Sequence, residues 1–575
     1  MPRLAYAQEK KLIPFLLLIF SLNYPAFSQT LNFSCGTREA SATRFLKTTS
    51  SIASHHGVHL PSRDTIRALV VYVHFPEDKT FDEVWEIGYL PLWWKKYATE
   101  LKNYFYEQSY STLVFECETH PKPFVLPYSQ TQYLTDGRTY GEAAKDIIRG
   151  LDSTYDFARF DQWSSQDHPY SISKGQDGKV DILIVLYRNA SGSFIPWAGV
   201  SELGFEGYVF VDSMQRFFYG GNGRFSDAGA SGVTLCKPAS ITPVMDYNYA
   251  FGISAHEIMH KIYGEGHPAW LFGGLGLMGA SGAGMGLSSF EKHILSYITY
   301  QTIPFGIDTT ITLHDYMTTK EAYLLPLPQR EGMFYSFEYR RKISPYDTAP
   351  IEGVYIYRVN NAGSFNQKEV IVQSADGKWI WRYDDALRHP VKAYADPLAG
   401  LNKLQAIPVN GKNTYADGWW GDASDAFTMQ KGFFSFFRNP SPDFVIGNDT
   451  VKTGLDVRIV AMSDSTATLS IRYNTPATLE VESIDAESYS LSANFPNPAR
   501  RGEAVSIPIS TFIESHLRIE LFSLLGKKIQ SIVDERILHG KHLLQISTDA
   551  LHAGMYLCSI TIDGKKLVRY ISIIE

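Results

Sequence analysis

The 575-residue sequence predicts an α/β domain followed by all-β, sandwich-like domains. Residues 66–75 (IRALVVYVHF) and 180–187 (VDILIVLY) are continuous β-branched and aromatic runs, which indicate buried strands. Helical spacing occurs between them, for example at residues 140–151, and strand, helix and strand in that order are typical of an α/β core. After about residue 305 the apolar residues come in short alternating runs between turn residues, which predicts all-β structure.

The same patterns place the individual elements. An apolar face repeats at helical spacing in several segments, and shorter apolar runs have the length of strands. Gly264, Gly266 and Pro268 end one of these helices. The predicted helices are 92–106, 140–151, 253–263 and 288–300, and the predicted strands include 66–75, 112–118, 180–187, 353–359 and 467–473.

The first 28 residues predict a signal peptide. A basic start (Arg3, Lys10 and Lys11) precedes an apolar run at 12–22, and small residues end at Ser28, where cleavage is expected. The apolar run is too short to span a bilayer comfortably, although a membrane anchor is the alternative for this segment. No later run has the length of a membrane span, so we expect an exported protein without a stable span.

Composition shifts divide the rest of the chain. Residues 29–63 are rich in Ser and Thr and have few periodic apolar positions, which indicates a pro-segment or a loose lead-in. Residues 475–487 are polar and acidic, which predicts a linker. The expected domains are the α/β domain at 64–305, a β-rich domain packed on it at 306–474, and a small β-sandwich at 488–575.

One pentapeptide, HEIMH, carries a recognisable chemistry. His256 and His260 are four residues apart on a predicted helix, so both imidazoles lie on one face, one turn apart. Neutral imidazoles at this spacing are natural zinc ligands. Glu257 can take a proton from a water molecule and later pass it to the leaving amine, as in the H-E-x-x-H pattern of metalloproteases. Apolar neighbours predict a buried helix, where these side chains would be costly without a purpose.

A catalytic zinc site needs a third protein ligand. His267 is the best candidate, because Gly264 and Gly266 permit a sharp turn that returns it toward the helix. The metzincin pattern H-E-x-x-H-x-x-G-x-x-H has its last histidine six residues after the second one, whereas here 267 − 260 = 7. Glu265 and Glu291 are the alternatives.

Two further features extend the predicted site. Met278, in a Gly-rich stretch, resembles the Met-turn that lies beneath the zinc in metzincins, and the alternative is an ordinary core methionine. A tyrosine near the cleft could stabilise the oxyanion, and the sequence does not distinguish among Tyr247, Tyr249 and Tyr263.

The four cysteines allow two interpretations. In an exported protein, a disulfide among Cys35, Cys117 and Cys236 is the simpler one. The alternative is that Cys35 ligates the zinc ion from a pro-segment. Cys558 lies in the C-terminal segment.

Several blocks of the sequence occur in a characteristic order. They are 67–75 (RALVVYVHF), 104–110 (YFYEQSY), 177–181 (DGKVD), 277–279 (LMG), 290–295 (FEKHIL), 338–340 (EYR) and 353–359 (GVYIYRV). Between about residues 67 and 473 the chain thereby resembles the immune-inhibitor-A-like family of secreted bacterial metalloproteases. The resemblance implies a metzincin-like α/β catalytic domain that binds zinc, with Glu257 as the base. Family members often have Asp as third ligand at the position of Gly266, which is where this chain departs from the family.

The same resemblance implies structural calcium, which family members often bind. Asp177 with Asp181, or Asp422 with Asp425, could contribute the oxygen ligands. Acidic turn residues in solvent are the alternative for each of them.

The last segment carries a resemblance of its own. Residues 491–498 (LSANFPNP), 519–526 (IELFSLLG), Gly540 and 551–557 (LHAGMYL) follow one another in order. This order is similar to the type A sorting domain of the type IX secretion system. The resemblance implies a small β-sandwich recognised by that machinery and export through both membranes of a Gram-negative bacterium, with release or surface attachment. A generic β-module for adhesion is the alternative.

The sequence therefore predicts a secreted zinc-dependent endopeptidase that hydrolyses peptide bonds of extracellular proteins. The alternative is an inactive, protease-like surface binding or adhesion protein exported by the same system. A zymogen held inactive by residues 29–63 is a third hypothesis. The net charge of −7 and the lack of a basic block exclude nucleic acid as a partner. Cleavage preference is not encoded in these spacings.

Overall fold

The structure is a computed structural model of the chain. Its described residues are predominantly β-sheet, with few helices. The predicted signal peptide, Cys35 and most of the segment 29–63 lie outside them. The described residues are 57–137, 139–164, 172–221, 230–236, 246–264, 267, 275–278, 285–360, 369–375, 379–384, 389–395, 404–406, 408–409, 412–413, 423, 425–436, 440–446, 449–473, 489–491, 494, 496–511, 514–523, 527–537, 540–563 and 565–575.

The first part of the described chain is a mostly parallel sheet with helices on both faces. The strand order is β2-β1-β6-β10-β7, in which β7 alone runs antiparallel to its neighbour, and β3 extends the row beside β1. The elements are β1 (Asp64–His74), α1 (Trp94–Gln108), β2 (Leu113–Thr119), β3 (Phe124–Val125), α2 (Gln130–Thr135), α3 (Tyr140–Leu151), β4 (Trp163–Ser164), β5 (Ser173–Lys174), β6 (Leu183–Tyr187), β7 (Gly199–Val200), β8 (Tyr208–Val211), β9 (Arg216–Tyr219), β10 (Gly232–Leu235), α4 (Tyr247–Tyr263) and α5 (Ser289–Ile294).

Strand β1 explains why helices cover both faces of this sheet. Its side chains are buried on both sides, and alternate residues pack into two separate apolar cores. One core contains α1 and α4, and the other contains α3. Tyr97 of α1 and Ser254 of α4 share a hydrogen bond of 2.6 Å. The helix that carries the HEIMH motif thereby packs on the same face of the sheet as α1 and contacts α1 directly.

The residues just before β1 pack on the end of α4. The backbone N–H groups of Val58, His59 and Leu60 donate to the carbonyl oxygens of Ile262 and Lys261, each at 2.9 Å. The side chains of Val58 and Leu60 are buried. These bonds satisfy carbonyl groups that the last turn of a helix leaves without intrahelical donors. The end of the segment expected to be a pro-segment or lead-in is thus part of the packed α/β structure.

A β-rich part follows. The sheets β11-β13-β14-β15-β16 and β12-β26-β25-β22 contribute side chains to one apolar core. The elements are β11 (Gln301–Thr302), β12 (Thr309–His314), α6 (Tyr316–Thr319), β13 (Tyr323–Pro326), β14 (Met333–Arg340), β15 (Gly353–Asn360), β16 (Glu369–Gln373), β17 (Trp379–Asp384), β18 (His389–Ala395), β19 (Leu404–Ala406), β20 (Pro408–Val409), β21 (Lys412–Asn413), β22 (Phe433–Ser435), β23 (Phe444–Ile446), β24 (Asp449–Val451), β25 (Leu455–Met462) and β26 (Thr466–Tyr473).

The C-terminal segment is a β-sandwich. The sheets β27-β29-β32 and β28-β34-β33-β30-β31 share a second β core of aliphatic side chains. The prediction of all-β C-terminal domains is therefore confirmed. The strands are β27 (Tyr489–Leu491), β28 (Ala499–Arg500), β29 (Val505–Thr511), β30 (Ser515–Ser523), β31 (Lys528–Ile537), β32 (Gly540–Ile546), β33 (Gly554–Ile562) and β34 (Lys565–Ile574).

The cysteines and the membrane prediction can be compared with this fold. A disulfide among Cys35, Cys117 and Cys236 was expected; Cys35 lies outside the described residues, and Cys117, Cys236 and Cys558 are free thiols, so Cys117 and Cys236 do not pair with each other. Cys117 lies on β2 and Cys236 follows β10, and β1 and β6 run between them. Three strand spacings are about 14 Å, which a disulfide cannot bridge. Across the described residues, no helix has the length and apolar character needed to cross a membrane.

Candidate metal centre

Helix α4 places the HEIMH motif in the interior of the α/β part. Asp246 caps its first turn by accepting a hydrogen bond from the backbone N–H of Tyr249 at 2.9 Å. This cap starts the helix at Tyr247, six residues before the predicted start at 253. The helix ends at Gly264, whose φ of 124° is available to glycine and strained for other residues. Every residue from 249 to 263 is buried.

Three imidazoles meet beside this helix. His256 Nε2 lies 3.2 Å from His260 Nε2 and 3.2 Å from His267 Nε2. Within the described residues, these three side chains are the group of His, Cys, Asp or Glu residues that could hold a metal ion, with their ligand atoms within 4.8 Å of one another. All three are buried. The structure thus brings together the three histidines that the sequence analysis singled out.

The other ring nitrogens determine the tautomers. His256 Nδ1 lies 2.8 Å from Leu277 O, and His260 Nδ1 lies 2.8 Å from Gly264 O. A carbonyl oxygen only accepts, so each Nδ1 carries the proton, and the lone pair of the neutral ring is then on Nε2. Two lone pairs that face each other at this distance repel unless a cation lies between them. Metal-binding histidines commonly make this N–H to carbonyl contact on their far side.

The electrostatic environment keeps the imidazoles neutral. Burial lowers the pKa of His256 to about 4 and the pKa of His267 to about 3. Burial and the two neighbouring imidazoles lower the pKa of His260 well below its usual value. Neutral imidazole is the form that binds metals, and three nitrogen donors suit zinc. The residues present therefore fit a zinc ion on the chemistry of their donor atoms.

The candidates for the third metal ligand differ in where their side chains lie. His267 joins the two helix histidines, because the chain turns at Gly264 directly after α4. Glu291 does not join them, which corrects its place among the candidate ligands: its carboxylate accepts hydrogen bonds from the backbone N–H groups of Met278 and Ser288 at 2.6 Å each. Glu265 lies outside the described residues.

Glu257 lies against the edge of the sheet. It is fully buried, and a Cβ atom built on Gly199 of β7 would come within 2.9 Å of Glu257 Oε1. β7 is the last strand in the order of this sheet. The backbone of the edge strand and the carboxylate are therefore neighbours. The sequence analysis missed Gly199, because nothing in the local pattern of residues distinguishes it from other glycines.

A buried lysine ties the helix to the same edge. Lys261 Nζ donates to Ser201 O at 2.8 Å and to Ala230 O at 2.5 Å. Ser201 directly follows β7, and Ala230 precedes β10. Lys261 therefore fixes the end of the edge strand relative to the helix that carries the histidines. The sequence analysis missed it as well, and a fully buried lysine beside HEIMH is visible only once its burial is known.

The remaining predicted residues differ in their placement. Met278 is fully buried in the same core as α4. Tyr247 and Tyr249 precede His256 by nine and seven residues on the helix, which is about 10 Å or more along its axis. Tyr263 lies seven residues after His256, on the same helix face.

The proposed calcium ligands are used within the chain. Asp181 accepts backbone hydrogen bonds from Gln162 at 2.8 Å and Trp163 at 3.3 Å. Asp177 accepts one from the backbone of Lys179 at 2.9 Å. Asp422 lies outside the described residues, and the buried Asp425 forms no part of a described group of potential metal ligands. The calcium prediction gains no support from the described geometry.

Solved structures with similar segments differ widely. They include the CARDB domain of a Pyrococcus furiosus protein in complex with di-metal ions, with 12% identity over 15% of this chain and 90% of that chain at a TM-score of 0.12. A polysaccharide lyase has 8% identity over 44% of this chain and 35% of its own, with a TM-score of 0.13. PorZ, a surface component of the type-IX secretion system of Porphyromonas gingivalis, has 10% identity over 42% and 35%, with a TM-score of 0.11. At these TM-scores the similarity indicates neither a shared fold nor a shared function.

The C-terminal sandwich has a clear relative. No curated protein matches the sequence of the whole chain. Residues 493–574 match the family model of the secretion system C-terminal sorting domain. This match confirms the predicted type IX sorting domain and the involvement of the type IX secretion machinery. The chain thus carries a type IX secretion sorting domain and is exported to the cell surface or secreted.

Proposed function

We propose that this protein is a secreted zinc endopeptidase. The convergence of three buried, neutral imidazoles at 3.2 Å between Nε2 atoms is the observation that carries the proposal. Glu257 follows the first of these histidines on a helix that is buried around it. Three nitrogen donors leave a fourth position for water or substrate, which is typical of catalytic rather than structural zinc sites.

Glu257 is the proposed proton carrier of the reaction. Zinc, when bound, supplies Lewis acidity that polarises the scissile carbonyl and makes water a stronger nucleophile. Glu257 accepts a proton from the attacking water and delivers it to the leaving amine nitrogen. Burial beside the backbone of Gly199 holds the carboxylate in place for both transfers.

The edge strand β7 suggests how a peptide would bind. Within the part of the chain that the structure describes, β7 pairs with β10 on one side and has no strand on the other. An extended peptide can add to the exposed edge of a sheet through backbone hydrogen bonds. Along β7 it would pass Gly199 and therefore Glu257. This arrangement favours internal peptide bonds of protein chains as substrates, and export makes extracellular proteins the available ones.

The resemblance to immune-inhibitor-A-like metalloproteases agrees with this proposal. Such proteins often have Asp where this chain has Gly266, and here His267 would take over as third ligand one position later. A metzincin-like catalytic domain is accordingly proposed for residues 64–305, with Met278 as its Met-turn.

The test measures metal content and hydrolysis on the exported protein. We expect about one zinc ion per chain by elemental analysis and cleavage of casein by the wild type. Glu257→Gln should retain the zinc and lose activity, whereas His267→Ala should lose the zinc. A wild type without stoichiometric zinc would rule out the proposal. A wild type that binds zinc but cleaves no protein would favour the inactive surface binding protein instead.

A further inference from the structure

The carbonyl group that orients His256 belongs to a short buried loop, residues 275–278, which precedes α5. His256 Nδ1 lies 2.8 Å from Leu277 O. This contact sets the tautomer and the ring orientation of His256. The position of one peptide group, between Leu277 and Met278, therefore determines where His256 Nε2 points.

A carboxylate from α5 holds the other side of that peptide group. Glu291 Oε1 accepts a hydrogen bond from the N–H of Met278 at 2.6 Å, and Oε2 accepts one from the N–H of Leu277 at 3.3 Å. Ser288 adds its N–H at 2.6 Å and its hydroxyl at 2.9 Å. Glu291 and His256 therefore bind opposite sides of a single peptide group. Such chains of hydrogen bonds polarise one another in a buried site.

An arginine from the β-rich part holds the start of the same loop. Arg340, the last residue of β14, donates from Nη2 to Leu275 O at 2.6 Å. Its Nε and Nη1 bind Glu338 at 2.6 Å and Asp347 at 3.0 Å, and none of the three side chains is exposed. Glu338 also accepts the backbone N–H of Ser289 at 2.8 Å, at the start of α5. β14 thus fixes both the loop and the helix that carries Glu291.

Stability alone is a poor reason for this network. Buried ion pairs can often be replaced by apolar side chains without loss of stability, because removing charges from water is costly. Here the charged groups converge on the loop that orients His256. We propose that Glu291 and Arg340 are positioning residues of the three-histidine site, acting on His256 through residues 275–278. The inference rests on the proposed metal binding and extends it, because the β-rich part then supports the metal site.

The experiment compares metal binding among variants of the full exported chain. Zinc affinity is measured by competition with a chromophoric chelator, and the visible spectrum of the cobalt(II)-substituted protein reports the ligand geometry. Glu291→Gln keeps the shape of the side chain, but its amide NH₂ group then faces backbone N–H groups, which are donors as well. Arg340→Lys keeps the charge and loses the planar fork. We expect each to weaken zinc binding about 10- to 100-fold, as loss of an outer-shell partner does, and to shift the cobalt bands.

A matched control comes from a second buried ion pair. Arg188 and Asp78 are joined at 2.5 Å with 0% and 1% exposure of their side chains, and Arg188 Nε donates to Trp85 O at 2.7 Å. Arg188→Lys should cost similar stability and leave zinc affinity and the cobalt spectrum unchanged. Equal zinc affinity in Arg188→Lys, Arg340→Lys and the wild type would overturn the inference. An equal loss in both lysine variants would overturn it too, because the effect would then be general.

A milder variant covers the case in which the charge variants do not fold. Ser288→Ala removes one donor to Glu291 Oε2. A small loss of zinc affinity with a shifted cobalt spectrum supports the inference. An unchanged cobalt spectrum contradicts it. The outcome remains separate from the proposed function. A wild type that binds zinc without cleaving protein refutes the endopeptidase and still tests the positioning residues, whereas a wild type without zinc refutes both.

Discussion

Gly199 and Glu257 approach so closely that a methyl group at position 199 would lie 2.8 Å from Glu257 Cγ and 2.9 Å from Glu257 Oε1. Ile253 of the same helix would come within 2.4 Å of that methyl group. Close packing leaves no room for such contacts without movement of the strand or the helix. Glycine is therefore required here by the approach of the sheet edge to the carboxylate.

Gly199→Ala should impair catalysis and spare the metal. The methyl group should displace Glu257, and misplacement of a catalytic group by about 1 Å can cost on the order of 100-fold in rate. We expect kcat on a peptide substrate to fall by at least about 10-fold, with zinc content equal to that of the wild type. Gly192→Ala is the control, because a Cβ there meets no atom within 4 Å. Full activity of Gly199→Ala would contradict the described contact.

Truncation should show that residues 57–63 belong to the folded α/β part. Compared with removal of residues 1–56, removal of 1–63 also deletes the backbone donors to Lys261 and Ile262. The buried side chains of Val58 and Leu60 contribute about 1.5–3 kcal/mol each. The midpoint of urea unfolding should therefore be lower for the longer truncation than for the shorter one. Identical midpoints would mean that this segment is dispensable.

The metal-free protein should lose stability in acid through its histidines. Burial lowers the pKa of His256 from its usual value of 6.5 to about 4. Between these two values the unfolded chain binds the proton and the folded chain does not. The free energy of unfolding is therefore unaffected by His256 above pH 6.5. As the pH falls toward 4, protonation of His256 in the unfolded chain lowers it by roughly 3 kcal/mol. Urea unfolding at pH 7.5, 6 and 5 measures this slope. It should be shallower in His256→Gln, and parallel profiles would contradict the prediction.

Deletion of residues 493–574 should abolish export. These residues match the secretion sorting family, so the shortened chain should stay inside the cell. Immunoblots of cell, membrane and medium fractions measure the distribution. Glu257→Ala with an intact tail is the control, since it should be exported like the wild type and separates export from activity. Surface or medium localisation of the shortened chain would contradict the role of the tail.

Local patterns predicted much of the α/β part. The helix at 140–151 was placed at its observed bounds, because its apolar face repeats regularly from Tyr140 to Leu151. The helix predicted at 288–300 is wrong after Ile294. Ser296 adopts a positive φ of 59°, and the backbone of Tyr297 turns back to Lys292 O at 2.8 Å. That turn depends on packing rather than on any proline or glycine in the segment.

Sequence spacing predicted the three histidines of the metal centre but not the residues that surround them. His256 and His260 follow from helical geometry, and His267 from the turn that Gly264 permits. The roles of Gly199, Glu291 and Arg340 depend on contacts between residues far apart in the chain, such as Arg340 with Leu275 across 65 positions. Helical or strand periodicity carries no information about such pairs.

The position of Arg340 has a consequence for the order in which the protein is made. Chains are synthesised from the N-terminus, and domains generally fold in that order. His256, His260 and His267 leave the ribosome more than 70 residues before Arg340, and the sorting domain leaves it after Arg340. A growing chain therefore holds its three histidines before the arginine that fixes the loop beside them. Synthesis of β14 completes the surroundings of the three-histidine site. The sorting domain, which directs export, is synthesised after β14.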